Sequence, residues 1–179
     1  MINYKQCDST AEIQQILDLQ QKNLPVALSS AAMQQQGFVT VKHDETLLMA
    51  MNESWPHTLA KVGNQVIGYA LSMHPKFGKD IPILLPMFEK IESSRQDGSY
   101  MVMGQICIAK TYRGKGVFRG LYQAMLDFLE PVFTEIITEV DVKNTRSLNA
   151  HLSIGFKEIL RYPTQEQVWA LLSLKNKTR

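Results

Sequence analysis

The stretch Gly104-Gln105-Ile106-Cys107-Ile108-Ala109-Lys110-Thr111-Tyr112-Arg113-Gly114-Lys115-Gly116-Val117-Phe118-Arg119-Gly120 sets an apolar run ahead of a basic loop with two glycines, and a helical pattern after it. The apolar run begins at Tyr100 and has the composition of a strand buried on both faces. Beyond the loop, Val117, Leu121, Met125, Phe128 and Leu129 recur at helical spacing, and Pro131 stands just past the last of them. The order strand, short turn, helix brings a helix N-terminus to the end of a buried strand. Such an end leaves several backbone N–H groups without intrahelical partners and carries partial positive charge. Glycines let the backbone come close to a phosphate, and basic side chains add charge. Between Lys110 and Arg119 there are four bases (Lys110, Arg113, Lys115, Arg119) and no acid, about fourfold more than the chain average. A pyrophosphate fits over Gly114 to Phe118.

Rival readings of the same residues are a plain strand-to-helix turn, whose glycines only relieve backbone strain, and two nucleotide motifs. Gly104-x-x-x-x-Ala109-Lys110-Thr111 comes within one residue of a triphosphate-binding loop. However, its second glycine is Ala, most of it lies in the strand, and its lysine precedes the helix by several residues. A dinucleotide fingerprint fails on glycine spacing and on the missing ribose-binding acid.

Downstream lies Asn144-Thr-Arg-Ser147-Leu148-Asn-Ala-His151-Leu-Ser-Ile-Gly155-Phe156. Asn144 ends a strand and is placed to cap the helix after it. Seven positions at about 100° each bring His151 to within roughly 20° of Asn144, two turns along. Taken singly, the two read as a cap and a helix-face histidine. Together, beside the anion-binding turn, they read as a second wall of one cleft.

Working outward, Ile2 to Cys7 reads as a first strand, and Asp8 or Ser9 caps a helix carrying Ile13, Ile16 and Leu17. Leu24 to Trp55 reads as short helices and loops, with Gly37-Phe38-Val39-Thr40 extended. His57 to Val62 and Gln65 to Met73 flank Gly63-Asn64 and form a hairpin. Pro75, Gly78, Pro82 and Pro86 break the chain around a short helix at Met87 to Ile91. The second half continues with a strand at Thr134 to Val142, a helix at Thr145 to Ile154 stopped by Gly155, and strands at Phe156 to Tyr162 and Gln167 to Leu174. Strands alternating with helices there predict an α/β fold: a mixed β-sheet with parallel β-α-β pairing and helices on its faces.

At 179 residues and 45% apolar composition the chain has material for one core without staples, and no repeat or linker divides it, so residues 1–179 read as a single domain. No apolar run approaches the length of a membrane span, and the N-terminus lacks a signal-peptide pattern. Cys7 and Cys107 stand far apart and give neither a disulfide framework nor zinc-ligand spacing, so a reduced cytoplasmic setting is expected and no metal. A net charge of +2 speaks against wrapping nucleic acid or binding a membrane surface. The basic decapeptide also lacks the aromatic interleaving of a nucleic-acid-binding face.

Residues from about Tyr100 to Phe156 resemble the core of the GNAT acetyltransferase superfamily. The Arg113-Gly114-Lys115-Gly116 loop with its helix is similar to that family's Arg/Gln-x-x-Gly-x-Gly/Ala acetyl-CoA motif. The Asn144 to Phe156 segment is similar to the motif that follows it, and the hairpin with Gly68-Tyr69-Ala70 suits the family as well. Two positions depart from the pattern: Phe118 stands where Gly or Ala is usual, and His151 where many members have the Tyr that protonates departing coenzyme A. The resemblance implies a GNAT-like sheet with helices on both faces and acetyl-CoA as cosubstrate, held by Ile106, Cys107, Ile108, Arg113, Gly114, Lys115, Gly116, Val117, Phe118 and Asn144. Backbone groups of Ile106, Cys107 and Ile108 would pair with the pantetheine arm and steady the oxyanion.

The implied reaction is direct attack of a primary amine, on a small molecule or peptide, upon the thioester. Such an amine is mostly protonated at neutral pH and needs a base. Glu139 is the leading candidate, with Asp141 on the same strand face and His74 behind it; His151 is the candidate acid. An acidic pair there could instead serve a surface lysine. Cys107 reads as a packing residue, with no base recognisable beside it. A non-catalytic acyl-CoA sensor with the same fold is the alternative. Either reading allows a homodimer and calls for neither nucleic acid nor membrane.

Overall fold

Gly63, at φ +56°, turns the chain between β2 (Thr58–Val62) and β3 (Gln65–Met73), which pair antiparallel around it as the Gly-Asn signal requires. β1 (Asn3–Gln6) adds to the outer edge of β2, and β4 (Tyr100–Ile108) to the other edge of β3. β5 (Glu135–Asp141), β6 (Lys157–Pro163) and β7 (Val168–Lys175) complete a seven-stranded sheet of order β1-β2-β3-β4-β5-β7-β6. Among the described strands only the β4–β5 pair is parallel; every other neighbour is antiparallel. The computed structural model describes residues 1–27, 39, 41–79, 81–94, 99–165 and 167–176.

Five α-helices are described. α1 (Thr10–Gln21) starts at Ser9, whose hydroxyl accepts the Glu12 N–H, and α2 (Glu45–Ser54) starts at Asp44, whose carboxylate accepts the Leu47 N–H. α3 spans Leu85–Ser94, α4 Val117–Leu129 and α5 Thr145–Ser153. The expected boundaries of α4 are met residue for residue. α2 lies within the stretch expected to hold short helices and loops, where the sequence pattern sets no bounds, and α3 extends beyond Met87 to Ile91 because Pro86 is tolerated in a first turn. The expectation of extended chain at Gly37 to Thr40 falls almost wholly outside the described residues.

Strand alternation divides the apolar residues between the two faces. Tyr69, Leu71, Met73, Val102, Ile137 and Leu171 pack with α1, α2 and α3. Ala70, Met101, Met103, Ile136, Ala170 and Leu172 pack with Tyr122, Met125 and Leu129 of α4 and with Leu148 of α5. Met125 and Leu129 are wholly buried, each contributing about 1.5–3 kcal/mol of apolar transfer. α1 is also tied to the sheet electrostatically. The Glu12 carboxylate lies 2.9 Å from Lys5 Nζ of β1 and 2.5 Å from Lys61 Nζ of β2. Burial alone would raise its pKa, but the two lysines prevail and hold it down at about 2.

What positions the site is a split in the sheet. β4 pairs with β5 only at Tyr100–Val102 against Glu135–Ile137. β4 then continues to Ile108 along β3, while β5 continues to Asp141 along β7. The Thr138 hydroxyl donates to the Met103 carbonyl at 3.0 Å and closes the apex. Beyond it the strands diverge as a V. Among the described residues, backbone groups of Gly104 to Ile108 that face away from β3 therefore have no strand to pair with.

Candidate active site

The basic turn lies at the open end of this V. Lys110 to Tyr112 form one 3-10 turn, and Gly114 and Gly116 follow with φ of +72° and +79°, a region costly for residues with a side chain. A Cβ on either would meet nothing within 4 Å, so the backbone here is bare to solvent. Gly116 is the N-cap of α4 and offers no side-chain cap, and the first bond of the helix runs from Gly120 N–H to Gly116 O. The N–H groups of Val117, Phe118 and Arg119 thus have no carbonyl behind them in the helix.

A cleft of about 370 Å³ opens over this turn. Nine of the ten residues expected to hold coenzyme line it: Ile106, Cys107, Ile108, Arg113, Gly114, Gly116, Val117, Phe118 and Asn144. Lys115 does not; its ammonium lies 5.5 Å from the Tyr112 ring centroid. Arg113 reaches the cleft, but its guanidinium also works as a strut. Nε–H donates to Ile108 O at 2.9 Å, and Nη2 donates to Asn23 Oδ1 at 2.5 Å. The Asn23 carbonyl in turn accepts the Val39 N–H. Phe118 turns its ring toward the core, edge-on to Tyr122 and His151 at 5.2 and 5.0 Å, which leaves its N–H on the cleft side. Arg146 lines the opposite wall and was not anticipated from sequence. It stands two residues past Asn144, and a charge count that ended at Arg119 could not connect it to the turn.

A smaller cavity of about 80 Å³ sits deeper in the V, lined in part by Gln105, Thr138, Glu139, Asp141, Ser147, His151 and Trp169. Gln105 fixes one wall: it accepts the Tyr69 hydroxyl at 2.5 Å and donates to Val41 O at 2.6 Å. Glu139 is largely buried, and its carboxylate accepts the Tyr162 hydroxyl from β6. Burial raises the Glu139 pKa and the tyrosine bond only partly offsets it, leaving it at about 7. Asp141 accepts the Lys143 N–H at 2.9 Å and so serves the turn into α5. Asn144 caps that helix, with Oδ1 accepting the Ser147 N–H at 3.2 Å.

His151 lies in a cage of Phe118, Tyr122 and Phe156 rings. Its Nδ1 is 2.7 Å from the Ser147 carbonyl and its Nε2 is 2.6 Å from the Tyr122 hydroxyl. A carbonyl only accepts, so the proton sits on Nδ1 and the tyrosine O–H donates to Nε2. Burial lowers the imidazole pKa to about 4. His74 follows Met73, which pairs with Val102 of β4; its ring stands edge-on to Phe133 and is not part of the cavity lining. Burial pushes the Cys107 thiol up to about 12, consistent with a packing residue.

A sheet that splits beside a bare, glycine-capped helix N-terminus, with a carboxylate in the split, is the architecture of an acyltransferase. Residues 13–156 match the Acetyltransferase (GNAT) family, and the chain belongs to that family. No curated protein sequence matches it. Solved structures agree in fold at low identity. The ribosomal-protein-S18-alanine N-acetyltransferase of Escherichia coli aligns with 13% identity and TM-score 0.66, covering 100% of this chain and 96% of its own. The yncA protein of Salmonella typhimurium, solved with acetyl-CoA, aligns with 14% identity and TM-score 0.66, covering 100% and 96%. Aminoglycoside acetyltransferase AAC(6')-Ib, solved with coenzyme A and kanamycin, aligns with 15% identity and TM-score 0.66, covering 98% and 95%.

Proposed function

We propose that the protein is an N-acetyltransferase that moves the acetyl group of acetyl-CoA to a primary amine by direct attack. The observation that carries this reading is that the two cavities share walls: Val39, Ile106, Asn144 and Ser147 line both. A donor lying along β4 with its diphosphate over Gly114 to Phe118 would thus present its thioester to the pocket that holds Glu139. The residues fit such a donor: bare N–H groups at α4, Arg113 and Arg146 in the same cleft, and an unpaired edge of β4 for amide groups of the arm.

In the reaction the amine nitrogen bonds to the carbonyl carbon and the carbon–sulfur bond breaks. Glu139 takes the proton that the ammonium must lose. A carboxylate titrating near 7 is half ionised at neutral pH and accepts a proton more readily than an exposed one. An N–H among Ile106, Cys107 and Ile108 steadies the oxyanion. The nitrogen, cationic once bonded, sheds its second proton as the tetrahedral intermediate collapses, and the coenzyme sulfur, with a thiol pKa of about 8–9 by analogy with cysteine, leaves as the anion or takes up that proton through water. Because both ring nitrogens of His151 are engaged and its proton is on the Ser147 side, we assign it to positioning. It joins α4, through Tyr122, to the first turn of α5 beside the cleft.

Isothermal titration with acetyl-CoA, together with thiol release across an amine panel, tests the reading. Saturable binding that weakens at least tenfold in Gly116→Glu, and thiol release dependent on added amine, are expected. No heat with acetyl-CoA, or binding without turnover on any amine, overturns it.

A further inference from the structure

We propose that the acceptor is an amine with one positive charge next to an apolar group, aliphatic or aromatic, and not a polycation. The inference rests on the transferase reading and concerns the acceptor pocket of that same site.

Charge count is the first observation. Polyamines and aminoglycosides carry several ammonium groups, and each one taken out of water needs an anionic or strongly accepting partner. The pocket offers two carboxylates, Glu139 and Asp141, and Asp141 is committed to the Lys143 N–H in the turn into α5. Glu139, joined to Tyr162, is left to meet one ammonium group. Among the described residues the pocket lining holds no other acid, and Ile81-Pro82-Ile83-Leu84-Leu85-Pro86-Met87-Phe88, which supplies Leu84 and Met87, has no charge of either sign.

One side of the pocket is apolar, facing a polar side made by Gln105, Thr138, Asn144, Ser147 and His151. Val39, Val41, Leu84, Met87 and Trp169 line the cavity around Glu139. On the segment bearing Leu84, Ile83 and Leu85 are 59% and 40% exposed, so the apolar surface extends outward past the buried lining. A hydrocarbon group beside the amine would cover this surface and recover the free energy of its burial. A second ammonium would be set against it unpaired. Free alkyl or aralkyl amines and peptides with an apolar first residue share this chemistry.

Thiol release with the full-length protein and saturating acetyl-CoA, at one pH, decides the matter. The panel is phenethylamine, isoamylamine, a tetrapeptide beginning with Leu, spermidine and kanamycin. The kcat/KM for the best apolar monoamine or for the peptide is expected to exceed that for spermidine and kanamycin at least tenfold. A lead for the free amines or for the peptide tells which source is used. In Met87→Glu, with its melting temperature measured alongside, the ratio of apolar monoamine to spermidine should fall at least fivefold. If that variant does not fold, the unmodified panel still decides. Turnover of spermidine or kanamycin equal to or better than the monoamines overturns the proposal and leaves the transferase reading standing. Binding of acetyl-CoA with no turnover of any amine overturns both.

Discussion

Glu139 and Tyr162 set the pH response of the proposed reaction. The carboxylate must be ionised to take a proton, so kcat/KM should rise through about 7 toward alkaline pH, where a solvent-exposed glutamate would already be ionised below pH 5. The Tyr162 hydroxyl donates to that carboxylate and favours its charged form. Tyr162→Phe should therefore move the rising limb upward by about one pH unit and keep the alkaline plateau. Glu139→Gln should lower kcat/KM about a hundredfold or more and abolish the limb. Profiles between pH 5.5 and 9.5 with the best amine separate these outcomes. A limb unmoved by Tyr162→Phe would remove the tyrosine from this role. His151, with burial holding it at about 4, should contribute no descending limb near neutrality. A limb near pH 6.5 that vanishes in His151→Asn would return it to acid duty.

At the scale of the element, the β4–turn–α4 unit makes a paired prediction about glycine. Gly116 and Gly63 both have positive φ and open space where a Cβ would stand, so alanine at either meets backbone strain alone, of about 1–2 kcal/mol. Gly63→Ala should lower the melting temperature and leave acetyl-CoA affinity unchanged. Gly116→Glu adds a negative charge at the diphosphate position and should weaken binding at least tenfold by titration calorimetry. Equal affinity losses in both would disconnect the turn from the donor. This unit was also the most legible from sequence, because its signals are local: a continuous apolar run, glycines next to bases, and Val117 to Leu129 at helical spacing. α2 was expected only as one of several short helices without bounds, although Asp44, Leu47, Leu48 and Met51 carry a cap and a short apolar repeat. Only Leu48 and Met51 of that helix are buried, so its periodic signal is thin. The V between β4 and β5 was not legible at all, since the loss of pairing after Val102 and Ile137 is a relation between strands more than thirty residues apart. The strut from Arg113 to Asn23 was hidden for the same reason, and it gives Arg113 a packing duty that the motif alone does not reveal.

Across the whole molecule, three buried histidines make the fold sensitive to acid. His43, His57 and His151 are each at most 1% exposed, and burial holds each pKa at about 4 against 6.5 for an ordinary histidine. His57 is fully bonded as a neutral ring, with Nδ1 accepting the Ser72 N–H and Nε2 donating to Leu48 O. Among the described residues neither ring nitrogen of His43 has a partner. Their neutral forms belong to the folded state, so their contribution is complete above pH 6.5 and is lost as pH falls toward 4, where unfolded histidines already carry a proton. Glu139 opposes them. Its raised pKa makes the folded state hold a proton that the unfolded chain releases between pH 4.5 and 7. Glu12, held down at about 2, begins to add proton uptake only below about pH 5. Near pH 5.5 each of these three histidines takes up close to one proton on unfolding and Glu139 gives back close to one, a net uptake of about two, to which His74, its pKa also lowered by burial, adds. Stability should then fall by roughly 2–3 kcal/mol per pH unit there, enough to exhaust an ordinary domain's margin of about 5–15 kcal/mol within a few units. Calorimetric unfolding at pH 5.5 in buffers of different ionisation enthalpy measures that proton count directly. Uptake of one proton or fewer would mean that the imidazoles are charged, or reached by water, in the folded protein.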